Sequence, residues 1–184
     1  MNNNKSLFFA LALALLFSAC KRDPEVPNEQ EVITTLVYTL TPSGGGTTAT
    51  FTFRDVDGDG GNSPVLTTTN LQANTTYAGA VVLTNEQASP TEDVTAEISE
   101  EEDEHQFFFS STVTGLSVAY NDRDSNNKPI GLATTLTTTD AGTGQLTIIL
   151  RHEPDKTAAN VSSGDITNAG GATDIEVTFD VTVE

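Results

Sequence analysis

Residues 174–183 alternate without a fault. Ile175, Val177, Phe179, Val181 and Val183 fall on one side, and Glu176, Thr178, Asp180 and Thr182 on the other. A period of two is the signature of a β-strand with one buried and one wet face. Strands of that kind belong to antiparallel sheets. Ala49, Phe51 and Phe53 repeat the pattern. Thr and Val are abundant, Trp is absent, and short alternating runs end at Gly, Asn, Asp or Pro. The pattern predicts strands over residues 32–40, 48–54, 65–69, 76–84, 105–112, 116–121, 132–137, 145–151 and 174–183. The expected fold is mostly β: an antiparallel β-sandwich or open barrel with one short acidic helix.

That helix is expected over residues 90–103. Ser89-Pro90-Thr91-Glu92 reads as a capping box with proline at the first helical position. Val94 and Ile98 follow one turn apart and would dock it. Its other faces are crowded: Glu92, Asp93, Glu97, Glu100, Glu101, Glu102, Asp103 and Glu104, with no base among them. Like charges at i, i+4 and acids at a helix C-terminus both destabilise, so the helix is marginal alone. Residues 94–98 also fit a strand. Phe107, Phe108 and Phe109 in one strand cannot all face one core, so the strand is buried on both sides or one ring is covered from outside. Residues 153–173, rich in Ala, Asn, Ser and Gly, have no period and read as a long functional or mobile loop.

The N-terminus sets location. Asn2-Asn3-Asn4-Lys5, the apolar run Leu7 to Phe17, and Ser18-Ala19-Cys20 form a signal peptide too short for a permanent membrane span. The site resembles the lipobox of bacterial lipoproteins, with Phe17 where Leu is commonest. Cys20, the single cysteine, is then the lipidated first residue of the mature chain, and the fold contains no disulfide. More than one acyl chain, palmitate among them, gives stable membrane anchoring. The organisation expected is residues 1–19 signal peptide, 20–31 lipidated cysteine and flexible tether, and 32–184 a single β-domain. Lys21-Arg22-Asp23 loosely resembles the export tag of some outer-face lipoproteins of Bacteroidota. The expected location is the outer membrane, on its periplasmic or cell-surface face.

Charge narrows the partners. Lys and Arg number 8 against 26 Asp and Glu, a net charge of −18. Losing Lys5 with the leader makes the mature chain more negative still. Such a chain repels phosphate backbones, which excludes nucleic acid. Cations, basic surfaces and neutral glycans remain, or no partner beyond the membrane anchor, the charge then serving solubility.

Two loops offer oxygens to Ca²⁺. Asp55, Asp57 and Asp59 stand at alternate positions before Gly60. The twelfth position of that loop is Leu66, so the bidentate glutamate of an EF-hand is missing. Asp122, Asp124 and Asn126 repeat the spacing more weakly, with Arg123 between them. Either loop also fits an ordinary polar turn. Such Ca²⁺ sites would be weak, at roughly 10⁻⁴–10⁻³ M. His105 and His152 each have acids beside them but lack the paired spacing of a zinc motif. No nucleophile elbow, phosphate loop or Cys-His pair is present.

Three stretches, Glu104-His105-Gln106-Phe107-Phe108-Phe109, Arg151-His152-Glu153-Pro154-Asp155-Lys156, and Gly164 to Gly171 running into Thr173-Asp174-Ile175-Glu176-Val177, resemble a group of small Bacteroidota lipoproteins. The resemblance covers most of the chain after the tether. It implies class and location and brings no active site. Some of that group are described as type 1 periplasmic-binding folds, which need repeated βαβ units this sequence lacks. The expectation is a membrane-anchored lipoprotein acting as a non-catalytic binding or structural module, with weak calcium sites. The alternative is a small metal-dependent or acid-base enzyme using His105 and His152. An enzyme requires the two histidines in one cleft; the module leaves them apart on an open acidic surface.

Overall fold

The computed structural model describes residues 31–58 and 60–184. The expected signal peptide, Cys20, most of the expected tether and Asp59 lie outside the described residues. Nine strands and one helix follow in the order β1 (Thr35–Pro42), β2 (Ala49–Arg54), β3 (Val65–Thr68), β4 (Thr76–Thr84), α1 (Val94–Glu100), β5 (His105–Ser111), β6 (Ser117–Tyr120), β7 (Ala133–Thr137), β8 (Gly142–His152) and β9 (Ala172–Val183). Every strand expected from the alternation is present, and every strand pairing is antiparallel.

The strands form two sheets, one of six in the order β3-β2-β1-β4-β7-β6 and one of three in the order β5-β8-β9. They pack as a sandwich, and neither closes into a barrel. Leu36, Tyr38, Leu40, Phe51, Leu83 and Leu136 of the large sheet meet Phe107, Leu146, Ile148, Leu150, Val177 and Phe179 of the small one, in one buried cluster. Each such side chain stabilises the fold by about 1.5–3 kcal/mol relative to exposure. Within this core the Tyr38 hydroxyl and Thr134 Oγ1 share a hydrogen bond of 2.7 Å. It lies over Gly79, where a Cβ would collide with the Thr134 side chain. Leu71 joins the sheets' ends, its N–H donating to the Thr182 carbonyl and its carbonyl accepting from the Glu184 N–H.

The helix is shorter than expected and starts later. Asn85 and Glu92 exchange both backbone hydrogen bonds at 3.1 Å, which holds residue 92 extended. The N-cap is therefore Asp93, whose carboxylate accepts from the Ala96 N–H, rather than Ser89. Val94 and Ile98 are buried and dock the helix as the stripe requires. Thr95 adds a polar latch: its hydroxyl both accepts from the Leu83 N–H and donates to the Leu83 carbonyl.

β5 is buried on both faces. Phe107 enters the main core. Phe108 points the other way into a second small cluster with Val161 and Ala169. Those two residues come from the stretch between β8 and β9, which contains 3-10 turns at Val161–Ser163 and Ile166–Asn168. The long loop is thus a cover on the outer face of the small sheet. The Gln106 amide fastens it by donating to the Val161 carbonyl at 2.9 Å.

Candidate metal centre

At one end of the small sheet the register sets His105 of β5 directly opposite His152 of β8. Alternation puts His105 on the face of Phe107, and His152 on the face of Leu150, so both rings point into the sandwich. The rings lie edge to face with centroids 4.4 Å apart. Their relative exposures are 0% and 3%, as low as the surrounding leucines.

Asp174 joins them through a fault in the ladder. Along β9, Leu150 pairs with Ile175 but Arg151 pairs with Thr173, leaving Asp174 as the extra residue of a β-bulge. A bulge re-aims a side chain. Strict alternation would send Asp174 outward with Glu176; instead its carboxylate faces the histidines and its side chain is fully buried. His105 Nε2 is 3.8 Å from Asp174 Oδ2, and His152 Nδ1 is 3.8 Å from Asp174 Oδ1. Gly171 lets the incoming strand pass close enough. Its φ is +69°, and a Cβ there would collide with the His152 carbonyl oxygen.

The inward atoms have no hydrogen-bond partners. His105 Nε2, both ring nitrogens of His152 and both carboxylate oxygens of Asp174 are buried and unpaired. Buried polar groups are overwhelmingly satisfied in folded proteins, and leaving one unmade costs about 1–3 kcal/mol. Four of these atoms, His105 Nε2, His152 Nδ1 and the two Asp174 oxygens, face one another and make a concentrated deficit, while His152 Nε2 faces Glu104. Burial pushes the Asp174 carboxyl up to about 6, against the pull of His152 and of the Glu31 N–H, which approaches without reaching hydrogen-bonding geometry. Burial likewise lowers the His105 imidazole below its ordinary value, and the neighbouring His152 adds to this.

The acid-rich turn after α1 supplies the surroundings. The Glu101 carbonyl lies 3.1 Å from His105 Nδ1. A carbonyl only accepts, so Nδ1 carries the proton and Nε2 is the bare nitrogen, aimed at Asp174. Glu104 places a carboxylate oxygen 3.8 Å from His152 Nε2, and its half-exposed side chain leads from the centre to solvent. Backbone bonds hold the turn in place: Glu153 N–H donates to the Glu104 carbonyl at 2.6 Å, and Lys156 Nζ to the Glu102 carbonyl at 2.6 Å. Its main-chain oxygens therefore face the protein, while the Glu102 carboxylate accepts from the Ser125 N–H and that of Glu104 reaches towards His152. Glu97 neighbours Glu31, and its carboxyl is raised to about 7 by burial and by that second carboxyl.

His105, His152 and Asp174 each offer a ligand atom within 4.8 Å of the other two. Two imidazoles and a carboxylate suit Zn²⁺ and its first-row neighbours; Ca²⁺ prefers an all-oxygen shell. The outer groups also fit, since ligating histidines usually engage a carbonyl or carboxylate through the other ring nitrogen.

The two histidines, expected to lie apart in a binding module, are in fact neighbours, and strand register is the reason. Neither lies in an open cleft. The aspartate loops are otherwise engaged. Asp55 Oδ1 accepts from the Gly58 N–H, and Asp57 Oδ2 from the Asn62 N–H and side-chain amide, bonds that close a turn. Asp122 caps the Gly131 and Ala133 N–H groups with its two oxygens. Asp124 is buried, bonded to the Asn126 and Lys128 N–H groups and to Lys156 Nζ. Asn126 closes that turn through its backbone. Among the described residues, Asp55, Asp57, Asp122 and Asp124 join no group of three converging metal-donor side chains. Searches against protein-family models, curated proteins and solved structures return no match.

Proposed function

We propose that this protein is a membrane-anchored bacterial lipoprotein whose β-sandwich is a non-catalytic binding module, and that its interior binds a divalent transition-metal ion of the Zn²⁺ class through His105, His152 and Asp174. The lipid anchor at Cys20 and the outer-membrane location rest on the sequence of the leader. The metal reading rests on one observation: four buried donor atoms, His105 Nε2, His152 Nδ1 and both Asp174 oxygens, converge with no hydrogen-bond partner. A cation would satisfy all three side chains at once and would also offset the charge of a buried carboxylate, which a bridging water would not.

Burial favours binding over catalysis. A general base must touch its substrate, and both rings are almost wholly enclosed. The acids of the 100–104 turn supply a negative field that draws a cation to the entrance at Glu104. Among the described residues no helix is long and apolar enough to cross a membrane.

The test is calorimetric titration of the EDTA-stripped protein with Zn²⁺ and, separately, Ca²⁺. Stoichiometric Zn²⁺ binding that is abolished by Asp174→Asn supports the reading. Heat from Ca²⁺ alone would move the site to the Asp55 loop and sink it.

A further inference from the structure

Three protein ligands leave a fourth position on a tetrahedral ion. A site with water there is open to chemistry, whereas a fourth side chain closes it. Three carboxylates border the centre. Glu104 lies beyond His152 Nε2, on the opposite edge of the ring from the Nδ1 that faces Asp174, so the imidazole stands between it and the ion. Glu101 is exposed, and it serves the centre through its carbonyl at His105 Nδ1. Glu31 and Glu101 each place a carboxylate oxygen within 4.8 Å of a His105 nitrogen, but Glu31 is half-buried and its backbone N–H approaches Asp174 as well. Of the three it alone borders two of the ligands.

Resting on the metal reading above, we infer that Glu31 is the fourth ligand, so that the ion is held by His105, His152, Asp174 and Glu31 in a closed site. Glu31 belongs to the segment entering β1, where the expected tether ends. The ion would therefore fasten the start of the domain to the end of the small sheet, across β5, β8 and β9. Loading the site couples metal supply to how firmly the tether junction is held, and leaves no ion position for a substrate.

The experiment uses the full-length protein, stripped and reloaded with Co²⁺ as a spectroscopic probe, alongside Zn²⁺ titration. The wild type is expected to give the intense visible bands of four-coordinate Co²⁺. Glu31→Gln should lower their intensity as water enters the shell and weaken Zn²⁺ roughly tenfold or more, in the range seen when groups around a metal are lost. Glu176→Gln, on the exposed face of β9, should leave both unchanged. Cleavage after Glu31 by a glutamate-specific protease should slow on metal addition in the wild type. A thermal melt in EDTA checks that each variant folds. Unchanged spectra and affinity in Glu31→Gln, or a loss confined to Glu101→Gln, would overturn this assignment while leaving the three-residue site standing. A wild type that takes up neither ion would overturn both.

Discussion

Two buried polar clusters sit on either side of the 101–104 turn, and they are built on opposite principles. In one, Lys156 and Asp124 are 5% and 1% exposed as side chains, with Nζ and Oδ2 2.9 Å apart. Every charged atom there is used. Lys156 also donates to the Glu102 carbonyl, and Asp124 Oδ1 collects two backbone N–H groups. Burial alone would raise the Asp124 carboxyl, but those bonds and the ammonium hold it below its ordinary value. In the other cluster, His105, His152 and Asp174 are as deeply buried and leave five atoms unpaired. The first is a finished structural joint. The second leaves its inward donors without partners. The difference teaches that depth of burial alone does not separate a structural polar group from a binding site; the hydrogen-bond account does.

The comparison predicts unequal responses to mutation. The largest effect should come from the finished joint. Lys156→Met leaves Asp124 as a buried charge without its partner, which costs about 3–5 kcal/mol. A domain of this size loses roughly 2–4 °C per kcal/mol, so a thermal melt should fall by about 10 °C or more. The double variant Asp124→Asn, Lys156→Met should recover much of that loss. A small change in the single variant would mean that the pair is not structural.

Next comes metal. Zn²⁺ at about 100 times its dissociation constant should add about 2.7 kcal/mol, read as an upward shift of the melt. His152→Ala lowers the melt on its own account but should abolish the Zn²⁺ shift. A full shift retained in that variant would place the ion elsewhere.

A smaller effect follows from Asp174 in the stripped protein. Its folded pKa is raised from 3.8 to about 6, so the native state holds a proton that the unfolded chain has already lost. The stability this contributes is fully present below about pH 4 and is lost as pH rises through about 6. Asp174→Asn removes that dependence. In urea melts at pH 7 the variant should be about 1 kcal/mol more stable than the stripped wild type, with the gap closing towards pH 4. A constant gap would show that Asp174 does not titrate in this window.

The smallest effect is calcium at the Asp55 loop. Its aspartates already close the turn by hydrogen bonds. Millimolar Ca²⁺ should add no more than about 1 kcal/mol, and Asp57→Asn should remove whatever shift appears.

Much of this architecture was legible along the chain. Period-two patterning marks strands such as β1, β4 and β9, which bury one face, while β5 is buried on both faces and β3 is exposed throughout. The edges were less legible where non-local pairing competes with a local signal. Ser89-Pro90-Thr91-Glu92 has the composition of a capping box, yet the bridge between Asn85 and Glu92 delays the helix to Asp93. The loop before β9 has no period because it covers Phe108 with single contacts from its two short turns rather than with a regular face. The site was half legible: both histidines were visible as candidates, but Asp174 was hidden inside the most regular alternation in the sequence.

The sequence by itself determined a nine-strand antiparallel β-domain, its strong negative charge and the two histidines available to a metal, since composition and period-two patterning are local properties. Only the tertiary structure decided that His105 and His152 are opposite one another, because strand register depends on which residues meet across the sheet. Only it turned Asp174 inward, because a single bulge reverses the face that alternation assigns.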